Sequence, residues 1–471
     1  MQKNFTEENY NEMIEKLFCR FPSFQKAGAG AYKPGIANME FVDQLMGHPH
    51  RNYKIIHVAG TNGKGSVSNM LASVLAAGGL KVGLYTSPHI QDFRERVRII
   101  SPSLTSEDAV LQDSLIPKED VWDFISQWRD TFDHLDMSFF EITTMLALDW
   151  FAKRKADIVV LETGLGGRLD STNIVNPVLS IITNIGLDHC DMLGGTLPEI
   201  AFEKAGIIKP KVPVVIGESH VETDQVFERK VLYTNLPEPE FMGSRTAVMS
   251  LLTFADKVEP SHWDRHEDIL ADMDLRGEYQ RKNLRTVLAA LDVLGKLGIS
   301  LPGTAEGIEE AIVHTAGRTG FRGRWEKISD DPYIICDIGH NGHGLKYNFS
   351  QLARMRASSE CSDLIIVYGS VADKDVDAAL RLLPENASYV FTRAQGKRAL
   401  DAGEVRDRYL KFCEETGRNK ENVFVADTVA EAMDIAFRLN ENFKAVDSCA
   451  RPLIYVGGST YVVSEAMECM K

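Results

Sequence analysis

The 471-residue chain is poor in cysteine: Cys19, Cys190, Cys336, Cys361, Cys413, Cys449 and Cys469 are its seven, and they lie far apart. An odd number without any CxxC spacing excludes a disulfide framework and a zinc-ribbon signature, and favours a reducing compartment. Positive charge is also in deficit, with 52 Lys and Arg against 67 Asp and Glu and a formal charge of −15. Duplex-binding proteins normally show a basic face, so the balance argues against nucleic acid as the main partner. No run reaches the roughly 18 apolar residues that a bilayer span requires. The opening Met1-Gln2-Lys3-Asn4-Phe5-Thr6-Glu7-Glu8 leads into an acidic amphipathic segment, not into the basic and apolar regions of a secretory leader. The expectation is a cytoplasmic protein with neither membrane nor nucleic-acid partner. What is present is ordinary for a soluble globular chain, 44% hydrophobic and 25% charged residues, at a length that suits two or three domains.

Short apolar runs alternate with helical periodicity, the pattern of a parallel α/β architecture. Strands are expected at Tyr53–Val58, Lys81–Tyr85, Ala156–Leu161 and Val178–Thr183, and helices at Ser66–Ala77, Phe140–Lys155 and Gln280–Leu297. After Gly317-Arg318-Thr319-Gly320 the alternation starts again. Strands are then expected at Tyr333–Cys336, Leu364–Tyr368, Ser388–Thr392, Val423–Val425 and Leu453–Val456, with a helix at Asp427–Arg438. This places a boundary near Gly317–Gly320, between a larger first domain and a smaller second one. The stretch from about 225 to 275 is less regular and reads as a β-rich excursion.

The strongest local signal is Gly60-Thr61-Asn62-Gly63-Lys64-Gly65-Ser66, which follows an apolar strand and opens a helix. Glycines let backbone N–H groups turn toward phosphate oxygens, and the helix N-terminus adds its dipole. Lys64 would reach the outer phosphates, and Ser66 would sit near a metal ion. The strict GxxxxGK[ST] spacing fails, because position 58 is Val and Gly65 separates Lys64 from Ser66. Further on, Glu162 closes an apolar strand, where open parallel sheets place their ligands and where a carboxylate suits Mg²⁺. His189 ends the next strand region, and Lys204 follows fifteen residues later as a lysine on a helix. Arg94, Arg96 and Arg98 concentrate positive charge after Thr86-Ser87-Pro88-His89. They read either as one face of a strand, with period two, or as a mobile loop that organises metal and attracts an acidic substrate.

The GTNGKGS loop resembles that of the Mur ligase superfamily of ATP-dependent amide ligases. The ordered set of stretches resembles the folylpolyglutamate synthase family, which includes bifunctional dihydrofolate synthases. These stretches are GTNGKGS at 60–66, TSPH at 86–89, ETGLGGRLDSTN at 162–173, DH at 188–189, EKAGIIK at 203–209, GRWE at 323–326, DIGHN at 337–341 and DKD at 373–375. The resemblance implies a Mur-ligase-like α/β fold. A P-loop ATPase domain with a mostly parallel sheet and the pterin/folate site would cover 1–317. A smaller Rossmann-like α/β domain, binding glutamate and closing over ATP, would cover 318–471.

Residue by residue, the resemblance implies that Gly60, Thr61, Asn62, Gly63, Lys64, Gly65, Ser66, Asn283, Arg324 and Asp337 contact ATP. Ser87, Glu162 and His189 match magnesium ligands, and Lys204 matches a lysine carbamylated in the family. Phe139, Phe140, Glu141, Leu169, Asp170 and Ser171 match the dihydropteroate pocket, although the aromatic pair also suits a helix core. Arg168 in GGRLDSTN resembles the bifunctional bacterial type. Two departures are Tyr279, where the family often has His, and DIGHN in place of the commoner DGAHN.

The implied reaction is ATP-dependent amide formation between L-glutamate and dihydropteroate or a reduced folate, through an acyl phosphate, by a monomer using Mg²⁺. Lys64, His189 and Lys204 would carry the chemistry. A monofunctional folylpolyglutamate synthase, another Mur-type amino-acid ligase and a non-catalytic nucleotide-binding module stay open as alternatives at this point.

Overall fold

A computed structural model describes residues 4–20, 35–102, 113–238, 243–372, 374–396 and 398–470. Asp373 of the DKD stretch and the first three residues of the chain lie outside the described residues. The chain divides into two compact units, 1–274 with 280–321, and 275–279 with 322–471.

The first unit is built on a seven-stranded sheet in the order β3-β2-β4-β1-β5-β6-β7. Its strands are β1 (Lys54–Ala59), β2 (Val82–Tyr85), β3 (Val97–Ile100), β4 (Ile158–Glu162), β5 (Leu179–Ile182), β6 (Val214–Ile216) and β7 (Leu252–Phe254). All neighbours are parallel except β2 and β3. Strands sandwiched between helices on both faces read as continuous apolar runs, and Ile55 to Ala59 are all buried. Helix Lys64–Ala77 is likewise buried on nearly every side, which accounts for its run of Val, Met, Leu and Ala. Helix Phe139–Lys153 begins with a reciprocal cap: Ser138 accepts from the Glu141 backbone and Glu141 accepts from the Ser138 backbone. Its buried face packs with Phe93, Phe124 and Phe132 in one core.

The second unit has a six-stranded sheet in the order β12-β11-β10-β13-β9-β8. These strands are β8 (Glu326–Asp330), β9 (Tyr333–Asp337), β10 (Leu364–Tyr368), β11 (Ser388–Phe391), β12 (Val423–Val425) and β13 (Leu453–Gly457). Only the β8–β9 pair is antiparallel. Its core gathers Leu345, Phe349, Tyr368, Phe391, Tyr409 and Tyr455.

Two expectations are corrected. The region 225–275 is mostly helical, with helices Asp224–Asn235, Arg245–Met249 and His266–Asp272 and only the three-residue β7. The buried pair Phe227 and Val231 sits four residues apart, a helical spacing that the surrounding charges obscure. Arg94 and Arg96 do not share a strand face with Arg98, because Phe93–Arg96 is a 3-10 turn and β3 starts at Val97.

Gly206, just after helix Leu197–Lys204, packs directly on the Arg168 backbone, and a Cβ there would overlap the Arg168 Cα. Gly206→Ala should therefore destabilise the first unit by about 1–3 kcal/mol, the usual range for overpacking, seen as a lower urea midpoint.

Candidate active site

The phosphate loop leaves the carboxyl end of β1 and its shape is set by two glycines. Gly60, at φ +151°, turns its bare Cα against Thr183 Oγ1, where a Cβ would collide. Thr183, just past β5, donates its backbone N–H to Ala59 O (2.9 Å) and its hydroxyl to Asn62 O (2.5 Å). Gly63 precedes helix Lys64–Ala77 in the left-handed region (φ +81°), and Asn283 Oδ1 occupies the place a Cβ would take. Asn283 is held in turn by Gln280 Oε1 at 2.7 Å, and Gln280 Nε2 donates to Ser66 Oγ at 3.2 Å. The loop's other side is fastened by Asn184, whose backbone carbonyl accepts from Thr61 N (3.0 Å) and whose Oδ1 accepts from Asn62 N (2.9 Å). Glu218 accepts from Asn184 Nδ2 at 3.1 Å and also holds Lys282. Gln280, Asn184 and Glu218 escaped sequence reasoning. Only the position of Asn184 and Glu218 just past strand ends offered a signal.

Two lysines converge on one backbone oxygen. Lys64 Nζ donates to Gly60 O at 3.0 Å, and Lys204 Nζ donates to the same oxygen at 2.9 Å. Lys204 is 3% exposed. Burial, aided by the like charge of Lys64, pulls its pKa from 10.5 down to about 7. Asp188 and Asp170 oppose the shift.

Glu162, 2% exposed at the end of β4, is in register with Val58 of β1. A Cβ on Gly65 would stand 3.7 Å from Glu162 Oε2, so the carboxylate lies beside the loop. Ser87 N lies 3.4 Å from the same oxygen. The structure thus brings together Gly65, Ser87 and Glu162. His189, also in the left-handed region, donates its backbone N–H to Asp188 Oδ1, and its Nε2 is 3.8 Å from that oxygen. Ser87 and Glu162 offer hard oxygen donors of the kind Mg²⁺ takes. Among the described residues no three His, Cys, Asp or Glu side chains converge on one point.

The residues matched to the pterin pocket divide. Phe139 is buried and stacks on Phe18 with centroids 4.6 Å apart, and Glu141 is engaged in the helix cap. Phe140 is half-buried and its ring fills the space over Gly164. Asp170 is 4% exposed and accepts from Leu165 N (2.8 Å) and Thr172 N (3.0 Å), organising its own loop, while Leu169 and Ser171 remain half-buried. Burial raises the Asp170 pKa.

The arginines are mostly committed elsewhere. Arg94 is bidentate to Asp92. Arg96 Nε donates to His89 Nδ1 at 2.8 Å while its guanidinium lies over the Phe139 ring. Arg98 is buried. The three side chains are thus each engaged within the first unit, Arg94 with Asp92, Arg96 with His89 and Arg98 with the Thr319 carbonyl. Arg168 pairs with Glu203 at 2.8 Å on the surface.

In the second unit, Asp337 at the end of β9 accepts four hydrogen bonds. Tyr279 Oη (2.7 Å) and Trp325 N (2.8 Å) share Oδ2, and Gly339 N and Asn348 Nδ2 (both 2.7 Å) share Oδ1. Burial and the Asp337 charge keep Tyr279 protonated, so the phenol donates. Arg324 is half-buried in the same surroundings, close enough to temper the Tyr279 shift.

A glycine-rich loop at the carboxyl edge of a mostly parallel sheet, where open α/β sheets place their ligands, and a second parallel-sheet unit agree with the class that known proteins of this architecture give, an ATP-dependent ligase of the Mur type. The family described as Mur ligase, glutamate ligase domain matches residues 323–446. The dihydrofolate synthase/folylpolyglutamate synthase of Bacillus subtilis is 32% identical over 429 residues, covering 86% of this chain and 95% of that protein. The structure of E. coli FolC in complex with DHPP and ADP superposes with a TM-score of 0.74 at 25% identity, covering 98% and 97% of the two chains. The bifunctional folylpolyglutamate synthase/dihydrofolate synthase of Yersinia pestis, complexed with AMPPNP and Mn ion, gives 0.73 at 25% identity over 98% of both. This chain belongs to the dihydrofolate synthase/folylpolyglutamate synthase family.

The lowered pKa of Lys204 has a consequence for stability. Between about pH 7 and the unfolded value near 10.5 the unfolded chain binds a proton that the folded chain has released, so stability rises with pH. Below pH 7 both states are protonated and the full burial penalty applies. In CO2-free buffer, urea unfolding of the parent relative to Lys204→Met should show a deficit that is largest below pH 7 and shrinks toward pH 10.

Proposed function

We propose that this chain is a bifunctional ligase that adds L-glutamate to dihydropteroate and to reduced folates, using ATP and Mg²⁺. The observation that carries the reading is the match along nearly the full length of a relative named for both activities, together with two lysines meeting at the phosphate loop. The first domain, 1–317, would hold ATP and the pterin. The second, 318–471, would hold glutamate, in keeping with the description of the family matching 323–446.

The carboxylate of the folate precursor attacks the γ-phosphorus of ATP, forming an acyl phosphate and releasing ADP. The glutamate amine then attacks the acyl carbon through a tetrahedral intermediate, and phosphate leaves. A carboxylate is a poor electrophile, and phosphorylation supplies the leaving group. Lys64 and the backbone N–H groups at the head of helix Lys64–Ala77 would face the phosphate oxygens, positioned before reaction begins. Asn283 would contact the nucleotide beside Gly63, and Arg324 and Asp337 would close on ATP from the second domain. Ser87, Glu162 and His189, with Ser66 as a further candidate, would hold Mg²⁺, which neutralises charge on the transferring phosphoryl group. Phe140, Leu169 and Ser171, half-buried, are the better-placed side chains of the pterin set. Phe139, Glu141 and Asp170 would shape that pocket from behind.

Lys204 is suited to carbamylation. A lysine titrating near pH 7 keeps a neutral amine fraction at neutral pH. That amine can form an N–C bond to CO2 and release a proton to solvent, turning a cation into a carbamate anion. The described cysteines are all free, and no described helix is long and apolar enough to cross a membrane. The proposal further takes the chain as a cytoplasmic monomer acting on small molecules, without a nucleic-acid partner.

Lys64→Ala should lower glutamate-dependent ADP formation by roughly 10²–10³-fold, the scale of losing one electrostatic contact to a transition state, with an unchanged circular dichroism spectrum. Normal turnover in that variant would remove Lys64 from the site. Bicarbonate should restore activity to enzyme stripped of CO2, and intact mass should show about one added CO2, lost in Lys204→Met. Assays with dihydropteroate against a reduced folate monoglutamate separate the two activities, and stimulation only by a UDP-muramyl precursor would overturn the folate reading.

A further inference from the structure

Arg98 stands on β3, paired with Leu84 of β2, and its side chain is 3% exposed. Arginine is almost never buried this completely unless it is paired. Among the described residues no carboxylate closes on it. Glu95 and Glu162 reach it only through their field, and burial lowers its pKa to about 10, so it stays a cation at neutral pH. Its Nε is buried without a hydrogen-bond partner among the described residues. Taking a charge out of water is expensive, and even a buried ion pair can often be replaced by apolar residues of similar volume without loss of stability. Arg98 therefore contributes little as a filler of space.

Its contacts give it a different role. Nη1 donates to the backbone carbonyl of Thr319. Nη2 donates to Thr86 Oγ1 and to Asn69 Oδ1, each at 3.2 Å. Asn69 carries the connection onward, because its Nδ2 donates to Gly65 O, inside the phosphate loop, at 2.7 Å. Thr86 is the residue before Ser87. Thr319 lies three residues before the chain enters the second unit at Arg322, and the intervening Phe321 ring sits 3.1 Å from where a Gly65 Cβ would be. One planar guanidinium thus reaches the phosphate-loop helix, the 86–89 loop and the exit segment of the first unit.

We propose that Arg98 is a positioning residue of the nucleotide site, holding the phosphate loop, the Thr86–Ser87 backbone and the exit segment at a fixed spacing. A planar fork can span these acceptors from one side chain, whereas a lysine ammonium on a flexible stem cannot hold the same fork geometry. The catalytic arm of the test rests on the ligase reading, and the binding arm does not.

The test uses the full chain, with ADP affinity from calorimetry, glutamate-dependent ADP formation and the thermal midpoint measured in parallel. Arg98→Met should fold with a midpoint near the parent's, yet bind ADP about tenfold more weakly and lose roughly ten- to a hundredfold in kcat, the scale of a small misplacement of reacting groups. Arg98→Lys should keep the fold without restoring kcat. Asn69→Leu should weaken ADP binding, and the Arg98→Met/Asn69→Leu double variant should be little worse than either alone, because both act through one connection. Parent-like ADP affinity in Arg98→Met, or losses that multiply in the double variant, would overturn the proposal. If Arg98→Met does not fold, Asn69→Leu and Thr86→Val decide, and parent-like ADP affinity in both rejects the role. A parent chain that binds ADP but shows no glutamate-dependent turnover would sink the ligase reading and leave the binding comparison intact.

Discussion

The first unit is organised around the carbonyl oxygen of Gly60. It accepts from Lys64 and Lys204, and the glycine's bare Cα is pressed against Thr183. A side chain at position 60 would push β1 away from Thr183. That shift would spoil the hydroxyl contact to Asn62 and the approach of both lysines. Burial disfavours the charged form of Lys204, and the part-buried Lys64 ammonium on the same acceptor adds like-charge repulsion. The result is a lysine easily discharged at neutral pH, lodged where a phosphate loop needs controlled charge.

The acidity of the chain takes on a different meaning beside this cluster. A net charge of −15 opposes the approach of ATP, glutamate and folate alike. Of the arginines singled out in the sequence, three are already engaged: Arg94 with Asp92, Arg168 with Glu203, Arg98 inside the fold. Binding of anions then relies on oriented backbone N–H groups and on metal ions more than on a basic surface.

Much of the fold was legible in the sequence because its strands are buried on both faces and read as apolar runs. β1, β2, β4 and β5 lie within two residues of the expected positions, as do the five anticipated strands of the second unit, and the helix expected at Asp427–Arg438 runs instead from Val429 to Val446. The short edge strands are the least legible: β3 stands only as one reading of Arg94–Arg98, β7 only within a stretch that reads as β-rich, and β8 not at all, because they are three to five residues long and charged or polar positions break the run. At the site, glycines and lysine at fixed spacing marked the loop, because only those residue types make that turn. Residues that support the loop from behind, such as Asn184, Gln280 and Glu218, are ordinary polar residues in sequence. Only tertiary packing reveals them. The arginines misled for the complementary reason: a periodic charge pattern does not tell a solvated face from a buried hub.

The four bonds accepted by Asp337 have a topological consequence. One of them comes from Tyr279, which belongs to a five-residue segment, 275–279, that the second unit borrows from the middle of the first. The chain crosses between the units after Asp274, Tyr279 and Phe321. The second unit is thus a discontinuous domain, and a fragment starting at Arg322 would lack a donor to its own buried carboxylate. During synthesis the ribosome delivers that borrowed segment before the rest of the second unit exists. The segment must wait, tethered to helix Gln280–Lys296, until β9 arrives to receive it. Autonomy of the two halves is therefore lost at the level of covalent order, even though each has a sheet and core of its own.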